Sequence, residues 1–126
     1  MPTMSRPDSS SSGITAGVHG DVALLRVVGE VDMANSDGLR DRGASLLDGA
    51  ASALVLDLSE VTFFASSGIA ALAHLRTCGR GTGSPKVHVV ASQAVRRSLE
   101  VTAMTTLLPL HDSVDEAVGA ARASLS

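Results

Sequence analysis

The feature that most limits what this chain can fold into is the regular recurrence of short, almost uninterrupted aliphatic runs. Residues 22–28 (VALLRVV), 53–58 (ALVLDL) and 87–91 (VHVVA) are strand-length and apolar at nearly every position. A strand wet on one face alternates apolar and polar residues, whereas one covered on both faces does not. Between and after the runs lie segments of good helix formers with helical spacing, over 35–49, 67–79, 93–101 and 114–124. Each strand-helix-strand step is long enough for a crossover, so the runs should pair in parallel through right-handed connections. A shorter run over 14–18 (ITAGV) adds an antiparallel edge strand. The expected class is α/β, a small mixed, mostly parallel sheet of about five strands with about four helices.

At 126 residues the chain holds one core and needs no disulfide or metal to stabilise it. Residues 1–13 carry two Pro and a run of Ser over 9–12, too few apolar groups to pack, which predicts a disordered tail followed by one domain over 14–126. No apolar segment follows the few charges of that tail, so it does not read as a signal peptide. No run approaches the roughly 18 apolar residues of a membrane span, so membrane insertion is not expected, and the mean hydropathy of +0.26 reflects a rich core. Cys78 is the single cysteine and cannot close an internal disulfide, consistent with a reduced, cytoplasmic chain. Two Phe, no Trp or Tyr and a net charge of −3 leave neither a base-stacking platform nor a basic groove, so nucleic acid is not an expected partner.

The polar residues offer little catalytic or metal chemistry. His74 and Cys78 stand four apart and could share a helix face, but no third or fourth ligand follows, so no metal site is assigned. His88 falls within a strand, where a packed imidazole is the ordinary outcome. The glycine-rich stretch over 79–85 (GRGTGSP) lacks the Lys-Ser/Thr of a phosphate loop and follows a helix, which makes it a helix stop; no cofactor is expected. Asp57, near the end of an apolar run, suits a turn as well as a partner contact. Arg96 and Arg97 fit a solvated helix face.

The informative stretch is 61–72 (VTFFASSGIAAL), which follows the run at 53–58 and opens a helix. Ser66 or Ser67 could simply cap that helix, a stabilisation of about 1 kcal/mol. A hydrolase nucleophile does not fit, because Gly-x-Ser-x-Gly is not met around either serine and no His-carboxylate pair can be assigned. A phospho-acceptor does fit. A phosphate of about −1.5 to −2 charge suits the free N–H groups of a helix start, so the fold survives, while a partner docked over that end meets a new dianion.

Four motifs in order carry a family resemblance: 29–32 (GEVD) after a strand, 54–59 (LVLDLS) leading into 64–69 (FASSGI), 92–97 (SQAVRR), and the closing 113–118 (SVDEAV). Together they resemble the anti-sigma factor antagonists of the STAS fold over about 15–122, with 99–108 similar to the family's third helix and last strand. The resemblance implies a switch protein without catalysis of its own. It binds an anti-sigma factor that is also a serine kinase, frees a sigma factor, is released by phosphorylation, and is restored by a metal-dependent serine phosphatase. Carried over by position, the acceptor is Ser66, with Ser67 as second choice. Ser67 and Gly68 complete the motif, and Glu30 and Asp32 match an acidic loop on the same docking surface. The implied partner-binding set is therefore Glu30, Asp32, Asn35, Ser66, Ser67, Gly68 and Ile69, over the loop at 29–35 and the start of the helix at 66–72, with Leu72 a further apolar contact.

At one position this chain departs from that pattern: Ala65 stands where the family usually has Asp. The missing carboxylate removes a group able to orient the serine, and removes like-charge repulsion against a phosphate beside it. An alternative reading is a non-phosphorylated STAS subunit of a larger assembly, such as a transporter accessory. A small-molecule-binding STAS module is a third, disfavoured by the absent phosphate loop.

Overall fold

A computed structural model describes residues 12–48, 52–78 and 86–124. The elements run β1 (Ser12–His19), β2 (Val22–Val31), α1 (Ser36–Asp48), β3 (Ala53–Phe64), α2 (Ser66–Cys78), β4 (Val87–Ala91), α3 (Gln93–Val101), β5 (Leu110–His111) and α4 (Val114–Ser124). β1 includes Ser12 and Gly13, two residues assigned to the expected tail; the rest of that tail, and the turn expected over 79–85, lie outside the described residues.

The sheet order is sequential, β1-β2-β3-β4-β5, with β1 antiparallel to β2 and the other neighbours parallel. When parallel strands are laid down one after another in the same direction, right-handed crossovers all fall on one side of the sheet. The core shows this: Leu39 of α1, Ile69, Leu72 and Leu75 of α2, and Val95 and Leu99 of α3 share one cluster with Leu25, Leu54, Leu56 and Val89. The other face is left for the element after the last strand. There Ala117, Val118 and Ala121 of α4 pack on Val22, Val55 and Val90. Two covered faces explain the uninterrupted aliphatic runs. α4 reaches only part of its face, so Arg26 stays exposed beside its ion partner Glu60.

Two expectations need correction. β3 does not stop at 58 but continues to Phe64, because β2 goes on pairing with it through two register shifts, between Arg26 and Val28 and between Gly29 and Glu30. Each shift gives β3 one residue more than β2, so the buried positions become Leu58, Val61 and Phe64. That three-residue spacing is no strand period, which hides the extension from a periodicity argument. The last strand is at Leu110–His111, beyond the segment at 99–108. Ala103 at φ 58 turns the chain out of α3, and the Pro109 carbonyl accepts from Val89 N–H at 2.9 Å to begin the pairing.

Gly29 sits at the second shift with φ 96, a left-handed conformation costly for any side chain. Gly29→Ala is expected to destabilise the protein by about 1–2 kcal/mol, seen as a melting temperature lower by several degrees.

Candidate functional site

Beyond Leu58, paired with Ala91, β3 has outrun β4, and its last residues need partners on that side. Backbone pairing to β2 holds one edge, through Gly29 with Val61, Glu30 with Phe63 and Val31 with Phe64. Two hydroxyls from α3 hold the other: Ser92 Oγ donates to the Val61 carbonyl and Ser98 Oγ to the Phe64 carbonyl, each at 2.7 Å. Ser92 is also the N-cap of α3, its Oγ accepting from Val95 N–H at 3.2 Å. Neither serine was identified as a site residue from the sequence. The 3.6-residue pattern of α3 and the capping position of Ser92 are readable, but the carbonyls they reach exist only because β3 is long.

A single residue, Ala65, links β3 to α2. Its N–H donates to the Val31 carbonyl at 2.9 Å, and its own carbonyl accepts from Gly68 N–H at 2.9 Å and Ile69 N–H at 3.3 Å. Ala65 is therefore the residue that caps α2, which corrects the expectation that Ser66 or Ser67 does so; both lie in the first turn. A methyl group accepts no hydrogen bond, so the amides that begin α2 receive no capping side chain from position 65. The two serines differ in what they present. Ser66 is exposed, whereas Ser67 Oγ is buried without a hydrogen-bond partner. Gly68 is buried where a Cβ would lie 2.8 Å from Phe64 Cζ and 3.0 Å from Val31 Cγ1, so the helix start lies directly on the sheet.

The loop between β2 and α1 closes the site on its other side. Gly29, Glu30 and Val31, expected in that loop, belong to β2. Asn35 clamps the turn: its Oδ1 accepts from Asp32 N–H at 2.9 Å and its Nδ2 donates to the Glu30 carbonyl at 2.7 Å. The amide is occupied inside the protein, so Asn35 positions the loop. Asp32 Oδ1 accepts from Ala34 N–H at 2.9 Å, Asp32 being half-buried, and Glu30 is exposed. Nearby acids on α1 are partly neutralised, because Asp37 and Asp41 flank Arg40 at 3.3 and 3.0 Å. The hydrogen bond to Asp41, then the charges of both acids, raises the Arg40 pKa. No cation pairs with Glu30 or Asp32 among the described residues.

Ile69 and Leu72 belong to the core, 8% and 1% exposed, and support the face from beneath. Apolar groups near this end that do reach solvent include Met33, 84% exposed, and Phe63, 52% exposed, both missed from the sequence. A Met in a polar turn and a Phe followed by a buried Phe give no periodic signal.

The remaining candidates lie elsewhere. Asp57 Oδ1 accepts from Ser59 N–H at 3.1 Å and Ser59 Oγ at 2.6 Å, fixing the chain at the first register shift. Arg96, expected on a solvated face, instead joins α3 to the end of β5 through the His111 carbonyl and, at 2.7 Å, Asp112 Oδ1; Arg97 is exposed. His74 and Cys78 are both exposed on α2, and no group of three or more His, Cys, Asp or Glu suited to a metal occurs among the described residues. His88 is buried with its Nδ1 3.1 Å from His111 Nε2. Among the described residues no helix is long and apolar enough to cross a membrane.

Comparison with known proteins places these features in context. The STAS domain profile matches residues 13–117. The anti-sigma-F factor antagonist RsfB of Mycobacterium tuberculosis is 32% identical over 120 residues, covering 94% of this chain and 95% of the relative. The crystal structure of an anti-sigma factor antagonist from Mycobacterium paratuberculosis superposes with a TM-score of 0.79 at 30% identity, covering 94% of this chain and 99% of the other. Unphosphorylated SpoIIAA, an anti-sigma factor antagonist, shares the fold at a TM-score of 0.68 and 14% identity, covering 88% and 97%.

Two substitutions probe the α2 start. Ala65→Asp supplies the missing cap and is expected to stabilise the protein by about 1 kcal/mol, read from denaturant midpoints at unchanged slope. Ser98→Ala leaves the Phe64 carbonyl short of its donor and is expected to cost about 1–2 kcal/mol in the same measurement.

Proposed function

Because the chain belongs to the STAS domain family, we propose that it is an anti-sigma factor antagonist: it binds an anti-sigma factor with serine kinase activity, frees a sigma factor, and is switched off by phosphorylation of Ser66. The working unit in this reading is the domain that opens with β1 at Ser12, two residues before the expected boundary, acting in the cytoplasm without catalysis of its own. The observation that carries the choice of serine is the difference in exposure. Ser66 offers its side chain to solvent in the first turn of α2, while the Ser67 hydroxyl is buried.

The docking surface in this reading comprises Glu30, Asp32 and the Ser66–Ser67 turn, with Met33 and Phe63 as apolar contacts in place of Ile69 and Leu72. Exposed large apolar side chains beside carboxylates suit a partner with an apolar pocket and a basic rim. A phosphate on Ser66 adds about −1.5 to −2 charge to a surface already carrying Glu30 and Asp32. The partner must then desolvate that dianion or leave it, and dissociation follows. The fold tolerates the change, since the positive end of α2 and its uncapped amides favour an anion there. Ala65 places no carboxylate beside the phosphate, which eases modification. A metal-dependent serine phosphatase would reset the switch.

The test is incubation with candidate anti-sigma kinases and ATP, with phosphate mapped by mass spectrometry and affinity followed by calorimetry. Phosphate is expected on Ser66 and absent from Ser66→Ala, which keeps binding; Ser66→Asp is expected to bind at least tenfold more weakly, about 1.4 kcal/mol. Modification persisting in Ser66→Ala overturns the acceptor assignment. Copurification with a membrane ATPase and no soluble kinase favours the transporter-accessory role instead.

A further inference from the structure

The two edges of the sheet are unequal. β5 exposes an edge of two residues, whereas β1 exposes one of eight, paired to β2 from Ser12 to His19 without a register shift. Its outward N–H and C=O groups meet no partner among the described residues. Proteins guard such edges with charged side chains, Pro, bulges or a covering element. β1, with the sequence SGITAGVH, has no Asp, Glu, Lys, Arg or Pro and no bulge. A Cβ added at Gly13 or Gly17 would meet nothing within 4 Å, so the surroundings are open. Val18 is 72% exposed on this edge, which no charge, Pro or bulge of its own guards.

We propose that β1 is a self-association edge, where two copies of this chain pair their β1 strands antiparallel about a two-fold axis through Ala16. The occupant is a second copy because the strand is complementary to itself. A two-fold perpendicular to the sheet keeps the faces continuous, so opposed residues must have matching parity. Centring on Ala16 sets Ala16 against its own copy, Thr15 against Gly17, and exposed Val18 against half-buried Ile14. Each large apolar side chain on the edge then gains an apolar mate across the seam.

Charge favours the same pairing. Each copy carries −3, yet the seam itself brings no Asp, Glu, Lys or Arg against its like. About Ala16 the seven residues 13–19 pair with their copies, and alternate antiparallel pairs exchanging two bonds each supply roughly six to eight intercopy hydrogen bonds. That number lies within the roughly 10 ± 5 direct hydrogen bonds of a typical specific interface, in keeping with a dimer that dissociates on dilution.

Sedimentation velocity on the full chain from about 1 μM to about 1 mM tests this, the range over which such an interface passes from apart to paired. The wild type is expected to move from monomer to twice that mass. Ala16→Lys and Ala16→Glu, at an exposed position, each set like charges against one another on the axis and are expected to stay monomeric with unchanged circular dichroism. Mixed in equal amounts they are expected to recover the doubled mass. If either variant fails to match the wild-type spectrum, Val18→Lys reads the same seam, with an expected tenfold or greater rise in the dissociation constant. A wild type monomeric throughout, a folded seam variant that associates like the wild type, or a mixture no heavier than its components overturns the proposal.

Discussion

Everything at the candidate site hangs on the stretch of β3 that outruns its neighbour. A strand with only one hydrogen-bonded edge would fray, and the helix start attached to it would wander. Here β2 supplies backbone groups to one side of residues 61–64 and α3 supplies the Ser92 and Ser98 hydroxyls to the other. The one-residue link through Ala65 then passes that order directly into α2, with the Val31 carbonyl gripping the link itself. Ser66 is thus an exposed side chain on a base hydrogen-bonded along both edges. Such a base suits recognition by a partner that must distinguish one serine from the next.

The sequential strand order accounts for where the site can be. With α1, α2 and α3 forced onto one face, the helix starts and the β2–α1 turn gather at one end of the sheet. α4 arrives last, on the opposite face, and supplies none of the residues described at the site. Its contribution is burial of Val22, Val55 and Val90, which keeps the central strands covered on both sides.

The helices were legible because good helix formers fill the segments between strand-length runs: those expected over 35–49 and 67–79 are found at Ser36–Asp48 and Ser66–Cys78, and those over 93–101 and 114–124 keep their bounds. The central runs were legible because burial on both faces leaves only one polar residue in each, Arg26, Asp57 and His88. What escaped was set by tertiary pairing. The extension of β3 buries Leu58, Val61 and Phe64 at a spacing that mimics neither a strand nor a clear helix. The two hydroxyl donors on α3 have meaning only against that extension. Asn35 was chosen by its place in the loop, but its amide holding Asp32 and Glu30 is a three-dimensional fact. The capping role fell on Ala65, a residue with nothing to cap with, which no propensity rule would select.

Gly68 has a consequence for how such a protein can diversify. With Phe64 and Val31 already at the limit of approach to its missing Cβ, the floor beneath the two serines has no slack. Side-chain volume there cannot be traded, so the height and tilt of Ser66 are closed to gradual adjustment. Variation is therefore confined to the rim, at Glu30, Met33 and Phe63, where side chains can change without disturbing the platform. Closely related copies of such a domain can keep the same platform geometry and differ at the rim alone.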